Sequence, residues 1–183
     1  MRQAPSREHR YRSLFSEVYP DLVRFVQRRM RPEQVDDVVS ETLLVWWRRF
    51  DEAPNRAADV RAWLMGVARQ VMLNQWRGDR RRAALAVRIA VGGDPVASSP
   101  EETVASRIDL ARAWECLDAT HQEALGLAVF EDLTSAQAGA VLGIGATAFR
   151  VRLSRARRAL KAQLDLSVAS AAVATVDEGT VIS

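Results

Sequence analysis

Residues 134–160 read TSAQAGAVLGIGATAFRVRLSRARRAL, and two unlike parts meet inside them. The later part sets Phe149, Leu153, Ala156, Leu160 and then Leu164 at intervals of four, three, four and four, one apolar stripe along a helix. The other faces carry Arg150, Arg152, Arg155, Arg157 and Arg158, with Lys161 close behind. The earlier part opens with Thr134 and Gln137, the pair of a capping box, so a helix is expected to start there. Val141 and Leu142 face inward, and the small Ala138 and Gly139 admit a close helix crossing. Gly143 suits a left-handed residue ending that helix, and Gly145 can weakly cap the next. Gly139, Gly143, Ile144 and Phe149 thus fit the small, turn, core and core positions of a helix-turn-helix. In that motif the second helix enters the major groove and meets phosphates and base edges. A helix that merely decorates a surface usually mixes acids with its bases. None occurs from Thr134 to Leu164, so the segment is expected to face nucleic acid.

The surrounding chain sharpens the contrast. Residues 101–133 hold eight acids against two arginines, whereas 134–164 hold six bases and no acid, although the net charge is only +3. All but one of the 26 bases are arginine, the residue suited to bidentate phosphate and guanine contacts. The 183 residues allow one ordinary domain or two small ones, and the composition is that of a folded, largely helical chain. No apolar run reaches the roughly 18 residues of a membrane span, and the N-terminus lacks the apolar core of a secretory signal, so a cytoplasmic protein is expected. Lone Cys116 with distant His9 and His121 offers no zinc set, and Cys116 reads as a small core residue. Neither a metal nor a cofactor is expected.

The expected fold is all-α: two small helical domains joined by a flexible linker, the second containing the helix-turn-helix. Residues 1–12 read as a frayed N-terminus and 13–82 as the first domain, with three helical patterns. Leu14, Val18, Leu22, Phe25 and Val26 form the first stripe, which Pro20 should bend or split. The second stripe is Val35, Val38, Val39, Leu43, Trp46, Trp47 and Phe50, with acids early and Arg48 and Arg49 late, as the helix dipole favours. The third holds Trp63, Leu64, Val67, Val71 and Trp76, with Asp59 placed to cap it. Residues 83–106, with Gly92, Gly93, Pro95 and Pro100, read as linker; 107–164 form the second domain. The tail 165–183, three acids and no base, reads as a disordered end, or as a segment that docks on an arginine face. The third helix ends in Trp76, Arg77, Arg80, Arg81 and Arg82, bases interleaved with aromatics as suits unpaired DNA.

Three segments in this order resemble the extracytoplasmic-function (ECF) sigma factors of the sigma-70 family, initiation subunits of bacterial RNA polymerase. DDVVSETLLVWWRRF resembles the helix that docks on core polymerase, AWLMGVARQVMLNQWRGDRRR the helix that opens and reads the −10 element, and LTSAQAGAVLGIGATAFRVRLSRARRAL the −35-reading helix-turn-helix. The resemblance implies that Asp37, Glu41, Leu44 and Trp47 meet core polymerase. It implies that Asn55 and Arg56 lie near a flipped −10 base, that Arg69, Asn74, Arg77 and Arg80 flank that melted strand, and that Arg150, Arg152, Ser154, Arg155 and Arg158 face the double-stranded −35 promoter DNA. An anti-sigma factor is the further partner it implies. The chain departs from the family pattern at Ala138-Gly139, where Ile-Ala is usual, and at Thr147-Ala148 and Arg150-Val151, where Gly-Thr and Lys-Ser are. Leu117-Asp118 stands in place of Leu-Pro, and Ala68-Arg69-Gln70 in place of Ala-Arg-Asn. A stand-alone helix-turn-helix regulator would leave the first domain without a role. A P-loop is excluded because Lys161, the only lysine, lacks the preceding glycines, and neither histidine has a nucleophile setting, so no enzyme is expected.

Overall fold

The computed structural model describes residues 7–75, 85–88 and 100–178, except the side chains of 100–106 and 168–178. Seven helices account for nearly all of them: α1 (Arg7–Gln27), α2 (Pro32–Arg48), α3 (Ala57–Gln75), α4 (Pro100–Glu115), α5 (Ala119–Val129), α6 (Ser135–Leu142) and α7 (Ala146–Glu178). Among the described residues there is no strand.

Helices α1 to α3 bury the stripes that their periodicity demands. Leu22, Phe25 and Val26 of α1 meet Val35, Val38 and Val39 of α2 and Met65, Ala68 and Met72 of α3. A second cluster at the far end gathers Val18, Trp46, Phe50, Val60 and Leu64. Pro20 neither splits nor ends α1, which runs unbroken through it. Residues 7–12, expected to fray, are already helical, because Tyr11 lays its ring 4.5 Å from that of Trp46 and 5.0 Å from that of Trp47. Burial raises the Tyr11 phenol pKa above its ordinary value. The adjacent tryptophans divide the work: Trp46 is wholly buried, while Trp47, which the stripe includes, turns outward. Asp59 does not cap α3, which starts two residues earlier at Ala57 and holds the acid in its first turn, where the dipole still favours it.

In the second half, Thr134 and Gln137 form the full capping box that their spacing predicts. Gly143 ends α6 at φ +67°, a conformation that costs other residues about 1–2 kcal/mol. Helix α7 follows after Ile144 and Gly145. Gly139 has a packing reason to be glycine: a Cβ there would lie 2.7 Å from the carbonyl oxygen of Ile144. Asp118, where the family has proline, is the N-cap of α5 and accepts from the His121 N–H at 2.9 Å.

The two halves share one core. Val141, Phe149, Leu153 and Ala156 belong to the same buried cluster as Leu22, Val38 and Met65. The segment expected as linker contributes to it: Leu85 and Val87 are buried within that core. Its last part is helical, since α4 begins at Pro100, a residue suited to the first turn of a helix. The tail assigned to disorder continues α7 as far as Glu178, for no Gly or Pro interrupts it before Gly179. Cys116 is exposed and not a core residue; Trp114 and Leu117, on either side of it, take the buried positions.

Candidate nucleic-acid interface

On α7 the apolar stripe fixes the basic face. Phe149, Leu153 and Ala156 are buried against α5 and α6, which turns Arg150, Ser154, Arg155, Arg157 and Arg158 to solvent and leaves Arg152 half-buried. Among the described residues none of these five arginines has a carboxylate within ion-pair distance. Arg150 donates to the Thr147 hydroxyl at 2.9 Å, so the family's departure at that threonine preserves a hydroxyl beside the helix start. Val151, where serine is usual, is exposed and offers only its methyl groups. Helix α7 thus presents a row of guanidinium groups that no carboxylate among the described residues neutralises.

A second set of expected residues lies on α3 and the loop before it. Asn55 and Arg56 are exposed, and the Asn55 amide oxygen accepts from Arg10 of α1. Asn74 is exposed near the end of α3 and accepts from Gln70 Nε2 at 3.2 Å. Arg69 stands apart from them. Its Nε and Nη2 donate to the two carboxylate oxygens of Glu123 at 2.7 and 3.2 Å, and its side chain is only 12% exposed. Arg77 and Arg80 lie outside the described residues.

The third set forms a single file on α2. Asp37, Glu41, Leu44 and Trp47 follow one another by four, three and three, so they occupy one face of the helix, and all four are exposed. Leu44 and Trp47 remain 46% and 41% accessible, large apolar side chains for an exposed face, although Tyr11 and Arg7 pack on one side of the Trp47 ring. Beside them a groove of about 560 Å³ runs between α2, α3 and the end of α6, lined by Glu41, Val45, Trp63, Val67 and Leu142 among others.

Sequence reasoning missed the polar contacts that tie the halves together. Glu131, in the turn after α5, is buried between Arg29 and Arg28, which reach it at 3.1 and 3.3 Å. Burial pulls the Arg29 guanidinium below its ordinary pKa, and Glu131 opposes that fall. Gln137 Nε2 reaches the Ala58 carbonyl and the Asp59 carboxylate at 3.4 and 3.3 Å. One signal was available: Gln122 and Glu123 lead directly into the apolar run ALGLAV of α5, where a charge drawn inward must find a buried partner. Among the described residues no group of three or more His, Cys, Asp or Glu side chains could hold a metal ion, and no helix is long and apolar enough to cross a membrane.

Residues 14–82 match the family described as Sigma-70 region 2. The chain is 33% identical over 133 residues to the ECF RNA polymerase sigma factor SigL of Mycobacterium tuberculosis, covering 72% of this chain and 75% of that one. It is also 33% identical over 142 residues to the RNA polymerase sigma factor CnrH of Cupriavidus metallidurans, covering 72% and 73%. Among solved structures, CnrH in complex with the cytosolic domain of CnrY is similar with a TM-score of 0.57 and 25% identity, covering 85% of this chain and 88% of that one. The sigma factor RpoE in complex with the anti-sigma factor NepR from Bartonella quintana shares the fold, with a TM-score of 0.60 and 22% identity over 85% and 96% of the chains. The chain therefore belongs to the ECF family of RNA polymerase sigma factors, which bind core polymerase and direct promoter recognition and transcription initiation.

Proposed function

We propose that this sigma factor docks on core polymerase through Asp37, Glu41, Leu44 and Trp47 of α2, and reads a two-part promoter through its other two faces. Arg150, Arg152, Ser154, Arg155 and Arg158 of α7 lie along the −35 duplex as the reading helix of a helix-turn-helix. Asn55, Arg56, Arg69, Asn74, Arg77 and Arg80 hold the melted −10 strand, where a pocket that stacks and hydrogen-bonds a flipped base repays the few kcal/mol of extruding it. Residues 13–82 and 107–164 are the two functional domains. The chain contributes binding energy and melting energy and no catalysis of its own, and it works in the cytoplasm.

The observation that carries this reading is the α7 face itself: exposed arginines with no acid partner among the described residues, aimed outward by a buried apolar stripe. The solved relatives in complex with NepR and with the cytosolic domain of CnrY support an anti-sigma partner here too. The decisive test is pull-down of core RNA polymerase by the purified chain, followed by run-off transcription from genomic fragments. The expected result is stable core binding and new start sites. A Leu44→Asp variant should lose core binding while its melting temperature stays within a few degrees, because that side chain is exposed. DNA binding without core binding would overturn the reading.

A further inference from the structure

The first turn of α1 clasps the loop that follows α2. Arg7 Nη2 donates to the Trp47 carbonyl at 2.7 Å, and Arg7 Nε stands 3.6 Å from the Asp51 carboxylate. The Arg10 guanidinium lies over the Phe50 ring, 5.4 Å from its centroid, and its Nη2 donates to Asn55 Oδ1. Arg10 and Asn55 are 45 positions apart, so helix packing and not local sequence brings them together.

The loop is held on both sides of Asn55. Before it, Ala53 is buried, and its N–H donates to the Arg49 carbonyl at 3.1 Å. After it, the Asp59 and Val60 N–H groups both donate to the Arg56 carbonyl at 2.9 Å, where α3 begins. Asn55 stays exposed between these anchors. The anchors fix its backbone, and the bond from Arg10 fixes its side chain.

The direction of that bond has a chemical consequence. A guanidinium carries only donors, so the amide end that meets it is the oxygen. An untethered asparagine reads a base with both ends of its amide, accepting and donating at once, as in its pairing with adenine N6 and N7. A half-turn about its last torsion exchanges the two ends. Here Arg10 engages the oxygen end and opposes the half-turn, which leaves the NH2 end for an outside partner. Such a group recognises an acceptor, a keto oxygen or an unprotonated ring nitrogen, and offers nothing to an exocyclic amine. Arg10 precedes the residues 14–82 that match Sigma-70 region 2, so the family pattern does not supply it.

We infer that Arg10 is a positioning residue for promoter reading: it orients the Asn55 amide so that the NH2 group donates to an acceptor atom of the flipped −10 base, and thereby sets which bases are accepted there. The inference rests on the assignment of Asn55 to that base.

The test uses core polymerase reconstituted with the full chain and a promoter recovered by run-off transcription. Each of the four bases is placed in turn at every −10 position of the non-template strand. The readout is the ratio of initiation between bases at one position, from which any uniform loss of activity cancels. Asn55→Ala should reduce that ratio at one position by on the order of fivefold, the worth of one hydrogen bond. Arg10→Ala should reduce it at the same position, and Arg10→Lys, which still offers donors to the amide oxygen, should restore most of it. Asn55→Asp separates the tether from the reader. Its carboxylate still accepts from Arg10 but has no donor, so discrimination should be lost while the melting temperature does not fall. If Asn55→Ala reduces the ratio and either Arg10→Ala or Asn55→Asp leaves it unchanged, the inference is overturned. If Asn55→Ala changes the ratio at no position, the failure lies with the placement of Asn55 beside the base, and the role of Arg10 falls with it.

Discussion

At position 139 an ordinary rule of helix propensity points the wrong way. Glycine inside a helix costs roughly 1 kcal/mol relative to alanine, which would make Gly139→Ala a stabilising change. The Ile144 carbonyl oxygen, 2.7 Å from where the new methyl group would sit, reverses that expectation. The obstacle is backbone in the tight turn between α6 and α7, and it has no rotamer through which to yield. Gly139→Ala should therefore cost about 1–3 kcal/mol, the range for overpacking a well-filled site, as read from urea unfolding midpoints. Sequence alone identifies a small residue here and the reason for a close crossing, but what crosses is the chain's own turn, a distance no periodicity encodes. The same holds for Glu123. Its charge is plain in the sequence, yet that it would meet Arg69, 54 positions earlier, depends on how two separately legible halves come together.

Among the elements, α7 was the most legible, because stripe and charge repeat over enough turns to fix both faces. The exposed arginines are expected to act mainly through phosphates. Their signature is a linear fall in log affinity with log salt, and each phosphate contact removed should lower the slope by about 0.9 for duplex DNA. Arg155→Ala/Arg158→Ala should thus reduce the salt slope by roughly two in titrations of polymerase holoenzyme on a promoter duplex. Base-reading arginines would instead change which sequences are preferred. Helix α1 was less legible at its start: the polar string REHRYR suggests fraying, but the aromatic contacts of Tyr11 with Trp46, Trp47 and Phe50 and the bond from Arg7 to the Trp47 carbonyl tie it down as helix. Asp59 is not a cap for a similar reason. Helix starts are fixed by sequence only to within a residue or two, and Ala57 and Ala58 are good enough helix formers to begin α3 earlier.

On the scale of the whole molecule, the all-helical architecture was legible, whereas the sealing of the halves was not. Gly92, Gly93, Pro95 and Pro100 follow Leu85–Arg88 in the chain, and they outweighed two residues, Leu85 and Val87, whose burial depends on a surface made by both halves. The shared core has a thermodynamic consequence. Two domains on an independent tether would unfold in two calorimetric transitions, but one continuous core melts as a cooperative unit. The free chain should show a single endotherm with matching calorimetric and van't Hoff enthalpies.

Buried Trp114 adds a consequence of another kind. Its ring nitrogen donates to the Val87 carbonyl, and Val87 lies in the core that both halves share. An indole passing from an apolar, hydrogen-bonded niche into water changes its emission, so the chain carries its own optical gauge of whether that core stays closed. Subtracting the spectrum of a Trp114→Phe chain isolates that gauge from the other tryptophans, and loss of the shared core during unfolding can be followed without any label attached.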